Sequence, residues 1–479
     1  MERHSKIQES SPISVTGIPK VATQIEGLDK ILQGGFPQGR TTLVSGGPGT
    51  GKTVLGLEFL FRGAVSGEPG IFLTFEETGA SIRQNALTFG WDLPSLEQAG
   101  KFFLMEGQID PEVVLSGDFN VKGLLATLEA KAKAMEAQRI VIDAMDILMR
   151  FFDDPKRQQN EIFSFHKWLI DHNMTALLTA KNVKDRDVSF QYSYLDFMAD
   201  CVIYLDQWVM DQVNTKRLQV IKYRGSAYGA NEYPFLITDG GLFFNPISEV
   251  RMHHPSPSER ISSGNMSLDG ILGGGYQKGT CILISGSTGT GKTSIASTFA
   301  CSACERGEKV LYVNYEESED GMAAGMLSLG IDLRPAIEES VLRLISIMPE
   351  SMGIEEHLFH KATVIEKFQP EHVIIDTISA CKRIAGEKAS FGFLLRLINI
   401  CKQRGITMIL INQSGASPED EISGIGILSV IDSIVTLEYE ATGNEVNRTL
   451  LVKKSRGAKH SNNYHTFSLT DHGVRIEGT

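Results

Sequence analysis

The chain has 479 residues, of which 42% are hydrophobic, and it carries a formal net charge of −12. This length predicts two or three domains, and the apolar share is enough for ordinary hydrophobic cores. The acidic balance argues against a protein that binds nucleic acid constitutively through a basic surface. The sequence shows no secretory signal and no long apolar run. We therefore expect a cytoplasmic protein with no membrane partner.

Strands and helices alternate along the first half of the chain. Residues 1–20 are polar and without periodicity, which predicts a flexible N-terminal lead. Apolar residues at helical spacing predict a helix over Lys52–Val65, and another helix is expected over Ala80–Phe89. Short apolar runs predict strands at Thr41–Ser45, Gly70–Glu77, Arg139–Asp143, Thr175–Lys181 and Cys201–Asp206. This alternation predicts an α/β fold with a mostly parallel sheet, flanked by helices that form right-handed crossovers.

The first predicted strand runs into a phosphate-binding loop, and the loop recurs 240 residues later. Both copies fit the pattern G-x-x-x-x-G-K-[ST], in which backbone N–H groups surround phosphate oxygens and the lysine reaches the β- and γ-phosphates. The chain is therefore expected to bind two ATP molecules. The candidate ATP-binding residues are Gly46, Gly47, Gly49, Thr50, Gly51, Lys52 and Thr53, and then Gly286, Ser287, Thr288, Gly289, Thr290, Gly291, Lys292 and Thr293.

The repeat extends well beyond the loop. Leu28-Asp29 recurs as Leu268-Asp269, and Lys222-Tyr223-Arg224-Gly225 is matched by Lys454-Ser455-Arg456-Gly457. The second copy repeats the predicted strands at Cys281–Ser285, Val310–Glu317, His372–Asp376 and Thr407–Asn412. This is a tandem duplication of one domain, not a short-period solenoid. We predict a first domain over 21–248, a linker over 249–263 and a second domain over 264–479.

Carboxylates stand where the predicted strands end, which is the edge at which such sheets bind ligands. Asp143 and Asp376 close apolar strands, and with the loop residues Thr53 and Thr293 they are candidates to hold Mg²⁺.

Two glutamate pairs, Glu76-Glu77 and Glu316-Glu317, each begin 24 residues after the loop lysine. Phosphoryl transfer needs a group that orients and deprotonates the attacking oxygen, and these pairs are candidates for it. A solvated strand end is the simpler alternative, but its repetition at identical spacing favours catalysis. Adjacent side chains on a strand point to opposite faces, so only one glutamate faces the phosphate unless the strand has already ended.

Cations late in each copy form a further repeated feature. Lys222 and Arg224, like Lys454 and Arg456, alternate along hairpin-like segments, so each pair can point to one face. They are candidates to reach the γ-phosphate of a neighbouring subunit, as an arginine finger does. Solvated charges on an edge strand are the alternative.

Together these residues resemble the KaiC family of RecA-like P-loop ATPases over nearly the whole chain. The resemblance implies two tandem RecA-like domains in a homohexameric double ring, with ATP at the subunit interfaces. It implies ATP hydrolysis in the first domain through Glu76 and Glu77. In the second domain it implies serine/threonine autophosphorylation through Glu316 and Glu317, with the four late cations acting in trans. A KaiB-like partner is implied as well.

The sequence departs from the circadian members of this family in two places. Where those members carry adjacent Ser-Thr phosphosites, an alignment on Asp432 places Leu428 and Ser429 here. Ser429 is therefore the expected phosphosite, with Ser423 as a possible second acceptor. The chain stops at Thr479, soon after Thr470-Asp471, so we expect no KaiA-type binding through a C-terminal tail.

Two other functions remain open from the sequence. A DNA-handling RecA-like ATPase would need basic loops, whereas the segment 412–423 carries three acidic residues and no lysine or arginine. Such a loop repels phosphates, so nucleic acid is an unlikely partner. A slow ATPase that acts as a signalling scaffold, without kinase activity, is the second alternative.

Overall fold

The computed structural model describes residues 17–107, 121–152, 154–181, 193–210, 213–244, 259–414, 426–442 and 445–477. The chain divides into two compact units, one in each half of the sequence. The predicted linker overlaps the strand Arg260–Ile261, which pairs with Tyr276–Gln277. Regular structure of the second unit therefore begins before residue 264. Ser423, the linker up to residue 258 and the acidic residues of the 412–423 segment lie outside the described residues.

Each unit is built on a nine-stranded sheet in which six neighbouring strands run parallel and three antiparallel strands extend one edge. In the first unit the strand order is Gly241–Phe244, Glu232–Thr238, Val213–Tyr223, Cys201–Met210, Thr41–Gly46, Thr175–Lys181, Arg139–Asp143, Gly70–Thr74 and Phe102–Glu106. In the second unit it is Gly473–Ile476, His465–Thr470, Glu445–Ser455, Ser433–Thr442, Cys281–Gly286, Thr407–Gln413, His372–Asp376, Val310–Asn314 and Leu342–Ser346.

Helices flank both sheets. Those described in the first unit are Leu28–Ile31, Lys52–Val65, Gly79–Thr88, Leu93–Gln98, Val121–Met135, Met145–Met149, Pro155–Asp171 and Ser193–Met198. Those described in the second unit are Met266–Ile271, Lys292–Glu305, Glu319–Leu327, Arg334–Glu338, Ile354–Phe368 and Ser379–Gln403, with 3₁₀ turns at Pro349–Ser351 and Ile427–Ser429. Helix Ser379–Gln403 is kinked where Ala385 and Gly386 leave helical geometry.

The central strands are buried on both faces because helices cover them, and this explains their unbroken apolar sequences. Every residue of Arg139–Asp143 and of His372–Asp376 is buried. The helix after each phosphate-binding loop packs into the core; Phe59, for example, is fully buried and meets Phe36 edge-on at 5.1 Å. The sheet edges that carry the predicted site residues are thus fixed by packed cores.

The predicted fold, two tandem RecA-like domains with mostly parallel sheets, is confirmed. The helix Lys52–Val65 and the strand Arg139–Asp143 have the predicted bounds. The strands predicted over Gly70–Glu77 and Val310–Glu317 are wrong at their ends, since they stop at Thr74 and Asn314. There, the side chains of Thr74 and Asn314 accept hydrogen bonds from the amides of Glu77 and Glu316, of 3.2 and 2.9 Å. Both glutamate pairs consequently lie in turns beyond the strands.

Candidate functional site

The first phosphate-binding loop is an open cradle between strand Thr41–Gly46 and helix Lys52–Val65. Gly51 precedes the helix at a φ of 97°, a left-handed conformation that glycine adopts without steric cost. The ammonium of Lys52 donates hydrogen bonds to the carbonyls of Gly46 and Gly47, at 3.0 and 2.8 Å. The lysine therefore lies across the loop, and the helix N-terminus behind it favours bound anions.

The second loop repeats this geometry. Gly291 has a φ of 99° before helix Lys292–Glu305, and Lys292 donates to the carbonyl of Ser287 at 2.7 Å. The hydroxyls of Thr50 and Thr290 each donate 2.8 Å hydrogen bonds back into their own loop, to Gly47 and Ser287. Both halves of the chain therefore carry a fully formed phosphate-binding loop.

The strand-end aspartates meet the loop threonines in both units. Thr53 donates to Asp143 and Thr293 donates to Asp376, each at 2.8 Å. A hydroxyl and a carboxylate are the oxygen ligands that Mg²⁺ prefers, and this ion keeps several waters besides its protein contacts. The residues present therefore fit the ion that accompanies ATP in such sites.

The two aspartates differ in their second partner. Asp143 also accepts a hydrogen bond from Thr179, on the neighbouring strand Thr175–Lys181. Asp376 accepts one of 2.9 Å from Tyr312, on the strand at its other side. Burial raises the pKa of Asp143, and raises the pKa of Asp376 to about 6. A bound cation would offset this cost of burying the charged carboxylates.

The first glutamate pair is split by the turn in which it lies. The Glu77 carboxylate turns to helix Gly79–Thr88, where it accepts hydrogen bonds from Ser81 at 3.0 Å and Asn85 at 3.1 Å. Both glutamates line the cleft over the loop. Burial lowers the pKa of Lys52, and the carboxylates of Asp143, Asp146 and Glu76 oppose this shift. Glu76 is thus the member of the pair whose charge acts on the loop lysine.

In the second unit Glu316 has the corresponding position, with an added contact. Its carboxylate accepts a 3.2 Å hydrogen bond from the hydroxyl of Thr377, which also contacts Ser379 at 2.6 Å. Burial lowers the pKa of Lys292, with Asp376 and Glu316 opposing it. The first unit carries Ala144 and Asp146 at the positions of Thr377 and Ser379. At these two positions, the second unit therefore places a pair of hydroxyls beside the candidate base and the first unit does not.

The late cations lie at the C-terminal end of a short helical segment in their own unit. Lys222 donates to the carbonyl of Asp196 at 2.5 Å, and Arg224 donates to that of Phe197 at 2.6 Å. In the second unit the equivalent contacts run from Lys454 to the carbonyls of Leu428 and Ile431, at 3.0 and 2.6 Å, and from Arg456 to that of Ser429, at 2.7 Å. Ser429 is exposed. The structure thus brings the second pair of cations together with the expected phosphosite.

Two residues of the site were missed from the sequence. Lys216 donates a 3.0 Å hydrogen bond to the loop carbonyl of Gly49, and Arg448 donates one of 3.3 Å to that of Gly289. Each lies six residues before the late lysine, Lys222 or Lys454, on the same strand. That repeated spacing was a signal available in the sequence. These cations add positive charge at the loop of their own subunit.

A cleft of about 470 Å³ opens above the first loop. Its walls include the loop itself, Glu76, Asp143, Arg150 and Ile237. Within the part of the chain that the structure describes, no three His, Cys, Asp or Glu side chains form a separate metal-binding group. Among the described helices, none is long and apolar enough to cross a membrane. The loop and the cleft above it are the candidate ATP site of the first unit.

The fold and these two loops define a tandem RecA-like P-loop ATPase. A family model described as "ATPase: KaiC" matches residues 21–249 and again residues 261–479. The chain is 35% identical to the circadian clock protein KaiC2 of Synechocystis sp. over 95% of its length and 81% of that protein. It is 34% identical to the circadian clock oscillator protein KaiC of Acaryochloris marina, over 98% of the chain and 90% of that protein.

A third relative is the circadian clock oscillator protein KaiC of Synechococcus elongatus, which is 34% identical over 96% of the chain and 89% of that protein. The chain belongs to the KaiC family, and it is an ATP-binding protein with two KaiC ATPase domains.

Proposed function

We propose that the first unit hydrolyses ATP and that the second unit phosphorylates a serine of its own protein. The observation that carries this division is the exposed Ser429, which is held by Arg456, whereas Phe197 has the equivalent position in the first unit. Phenylalanine has no hydroxyl, so the first unit offers no acceptor there and water is its remaining nucleophile. The second unit offers a serine at the same place.

Each side chain of the site has a defined part in this chemistry. The phosphate-binding loops with Lys52 and Lys292 bind the ATP phosphates, and bound Mg²⁺ would neutralise phosphate charge between the loop threonine and the strand-end aspartate. Glu76 takes a proton from water in the first unit. Glu316 takes a proton from the acceptor serine in the second. Glu77 and Glu317 are the adjacent members of the two pairs.

The ring assembly of the family fits the exposed cations. Arg224 and Arg456 are exposed, and each uses one guanidinium nitrogen on a backbone carbonyl. A guanidinium has five donors, so others are left for the phosphate of a neighbouring subunit. We propose a cytoplasmic homohexamer with ATP at the subunit interfaces, and a KaiB-like partner.

Intact-mass spectrometry after incubation with Mg-ATP tests the division. We expect one added phosphate per chain in the wild-type protein and in Ser328→Ala, which removes another exposed serine of the second unit. Ser429→Ala should lack that phosphate but still hydrolyse ATP. Hydrolysis without added mass in the wild-type protein would instead support the slow ATPase scaffold. A gel shift with DNA at low salt would favour a DNA-handling ATPase.

A further inference from the structure

A polar cluster lies buried behind the candidate base of the second unit. Lys361, on helix Ile354–Phe368, is 1% exposed, and its ammonium is 2.9 Å from Nδ1 of His357, which is fully buried. Nε2 of His357 is 2.8 Å from the carbonyl of Pro349. That carbonyl can only accept, so Nε2 carries the imidazole proton and Nδ1 accepts from Lys361. The cluster therefore has one consistent pattern of hydrogen bonds.

The cluster supports Tyr315, the residue immediately before Glu316. The ammonium of Lys361 lies 5.2 Å from the centre of the Tyr315 ring, within the range of a cation–π interaction. The ring of His357 meets Tyr315 edge-on at 5.7 Å. On the backbone, the Tyr315 amide donates a 2.7 Å hydrogen bond to the carbonyl of Asp376. Tyr315 thus contacts the buried cluster through its ring, precedes Glu316 in the chain, and is hydrogen-bonded to the backbone of Asp376.

Among its described residues, the first unit has no such cluster at the equivalent positions. The positions of Tyr315, His357, Lys361 and Cys381 are occupied there by four apolar residues: Leu128 and Leu148 are buried in the hydrophobic core, and Phe75 and Leu124 pack against it. An apolar core at this place is therefore sufficient for the fold. The second unit instead buries a lysine for which no carboxylate partner is found among the described residues, and an unpaired buried charge is costly. A role in the reaction of the second unit accounts for this cost.

Several titratable groups surround the lysine. Burial lowers the pKa of Lys361 to about 8 and that of His357 to about 4, so Lys361 is the group of this pair that titrates near neutral pH. The charged and titratable groups that act on this pair or on its immediate neighbours are as follows: His360 and Glu356 on the same helix, Tyr315 at the strand end, Cys381 and Arg383 on helix Ser379–Gln403, Arg343 on strand Leu342–Ser346, and Glu350 in the 3₁₀ turn.

We propose that Lys361 and His357 are positioning residues for the second unit: they hold Tyr315, and with it the backbone of Glu316, and loss of the Lys361 proton weakens that hold. This inference rests on the proposed function, in which Glu316 is the base. The loss removes the cation–π contact with Tyr315. Activity of the second unit should therefore fall as the pH rises, while ATP affinity, which depends on the loop, stays constant.

The test measures ATP turnover of the second unit from pH 6.5 to 9 in full-length protein carrying Glu76→Gln and Glu77→Gln. We expect kcat to fall roughly tenfold between pH 7 and 9, with a midpoint near 8 and an unchanged KM, because about a tenth of a group with that pKa stays protonated at pH 9. Lys361→Met, and independently His357→Leu, should lower kcat at pH 7. Lys361→Met should also abolish the fall in kcat between pH 7 and 9. Lys367→Met, an exposed change on the same helix, is the matched control.

Lys361→Arg provides a rescue, since its charge persists at pH 9. If this variant does not fold, the comparison of wild-type protein with Lys361→Met still decides the question. Identical pH profiles in those two proteins would overturn the inference, as would the absence of second-unit turnover at every pH. Phosphate incorporation is measured in parallel. A pH step in turnover without any incorporation would refute the proposed autokinase activity and leave the positioning role supported.

Discussion

The hydroxyl of Thr377 lies 3.2 Å from a carboxylate oxygen of Glu316, so the candidate base of the second unit is already hydrogen-bonded. In the first unit Ala144 has the position of Thr377. Among the described residues, Glu76 has no hydrogen-bond partner for its carboxylate. Two candidate bases at the same place in the same fold thus differ in their hydrogen bonding.

Replacing Thr377 by alanine should raise ATP hydrolysis by the second unit. A hydrogen bond to a charged group is worth about 1.5–3 kcal/mol, and its loss leaves Glu316 free to activate water. We expect a several-fold increase, measured with Glu76→Gln and Glu77→Gln in the background. Ala144→Thr is the reciprocal variant and should slow the first unit. A fall in turnover for Thr377→Ala would mean that Thr377 orients the base rather than restraining it.

The two glutamates of the first pair should contribute unequally. Glu77 accepts hydrogen bonds from Ser81 and Asn85, whereas Glu76 is the member of the pair whose charge acts on Lys52. Loss of a general base typically costs about 10²–10⁴-fold in rate, so we expect Glu76→Gln to abolish most first-unit turnover. Glu77→Gln retains a side-chain oxygen that can accept the hydrogen bonds from Ser81 and Asn85, and it should lower turnover only a few-fold. Steady-state turnover with Lys292→Ala in the background separates the two, and equal losses would contradict the assignment.

The sequence predicted what local pattern determines and missed what tertiary packing decides. The loops and Asp143 were found because glycine spacing and apolar strands are local features. Which glutamate of the first pair acts on the loop lysine was not predicted, because that depends on a turn that Thr74 caps. Lys361 could not be recognised either, since a lysine on an amphipathic helix is ordinarily solvated and only packing shows it to be buried.

Nucleotide binding should divide equally between the two units. Lys52 and Lys292 lie across separate, complete loops, so each should contribute to one bound ATP. We expect Lys52→Ala and Lys292→Ala each to reduce bound ATP to about half of the wild-type value, and the double variant to bind almost none. Equilibrium dialysis with labelled ATP measures this stoichiometry. Unchanged stoichiometry in both single variants would show that the lysines are dispensable for binding.

The buried charge of Lys361 should cost stability at neutral pH. Its pKa is lowered from the ordinary value of 10.5 to about 8, so the unfolded chain binds more protons than the folded chain between these values. The cost is therefore fully present below pH 8 and disappears as the pH rises to about 10.5, and its size is roughly 3 kcal/mol.

Lys361→Met should consequently stabilise the second unit at pH 7, by about 1–2 kcal/mol once the lost hydrogen bond to His357 is subtracted. The gain should vanish above about pH 10. Urea unfolding at several pH values measures it, with Lys367→Met as the exposed control. A destabilised Lys361→Met at pH 7 would show that the lysine contributes to the fold more than its burial costs.

Ser429 is exposed at the end of the 3₁₀ turn Ile427–Ser429, and it should accept at most one phosphate because the neighbouring Leu428 has no hydroxyl. A phosphoserine carries about −1.5 to −2 charges at neutral pH. The nearby carboxylate of Asp432 is already paired with Lys402 at 2.6 Å and with Arg456 at 3.8 Å, and Arg456 also donates to the Ser429 carbonyl. The local charge therefore favours the phosphate more than Asp432 opposes it.

We expect Arg456→Ala to reduce incorporation at Ser429, and Lys453→Ala, an exposed change on the preceding strand, to leave it unaltered. Peptide mapping after incubation with Mg-ATP locates the modification. Phosphate found only at other positions, or unchanged incorporation in Ser429→Ala, would eliminate this acceptor.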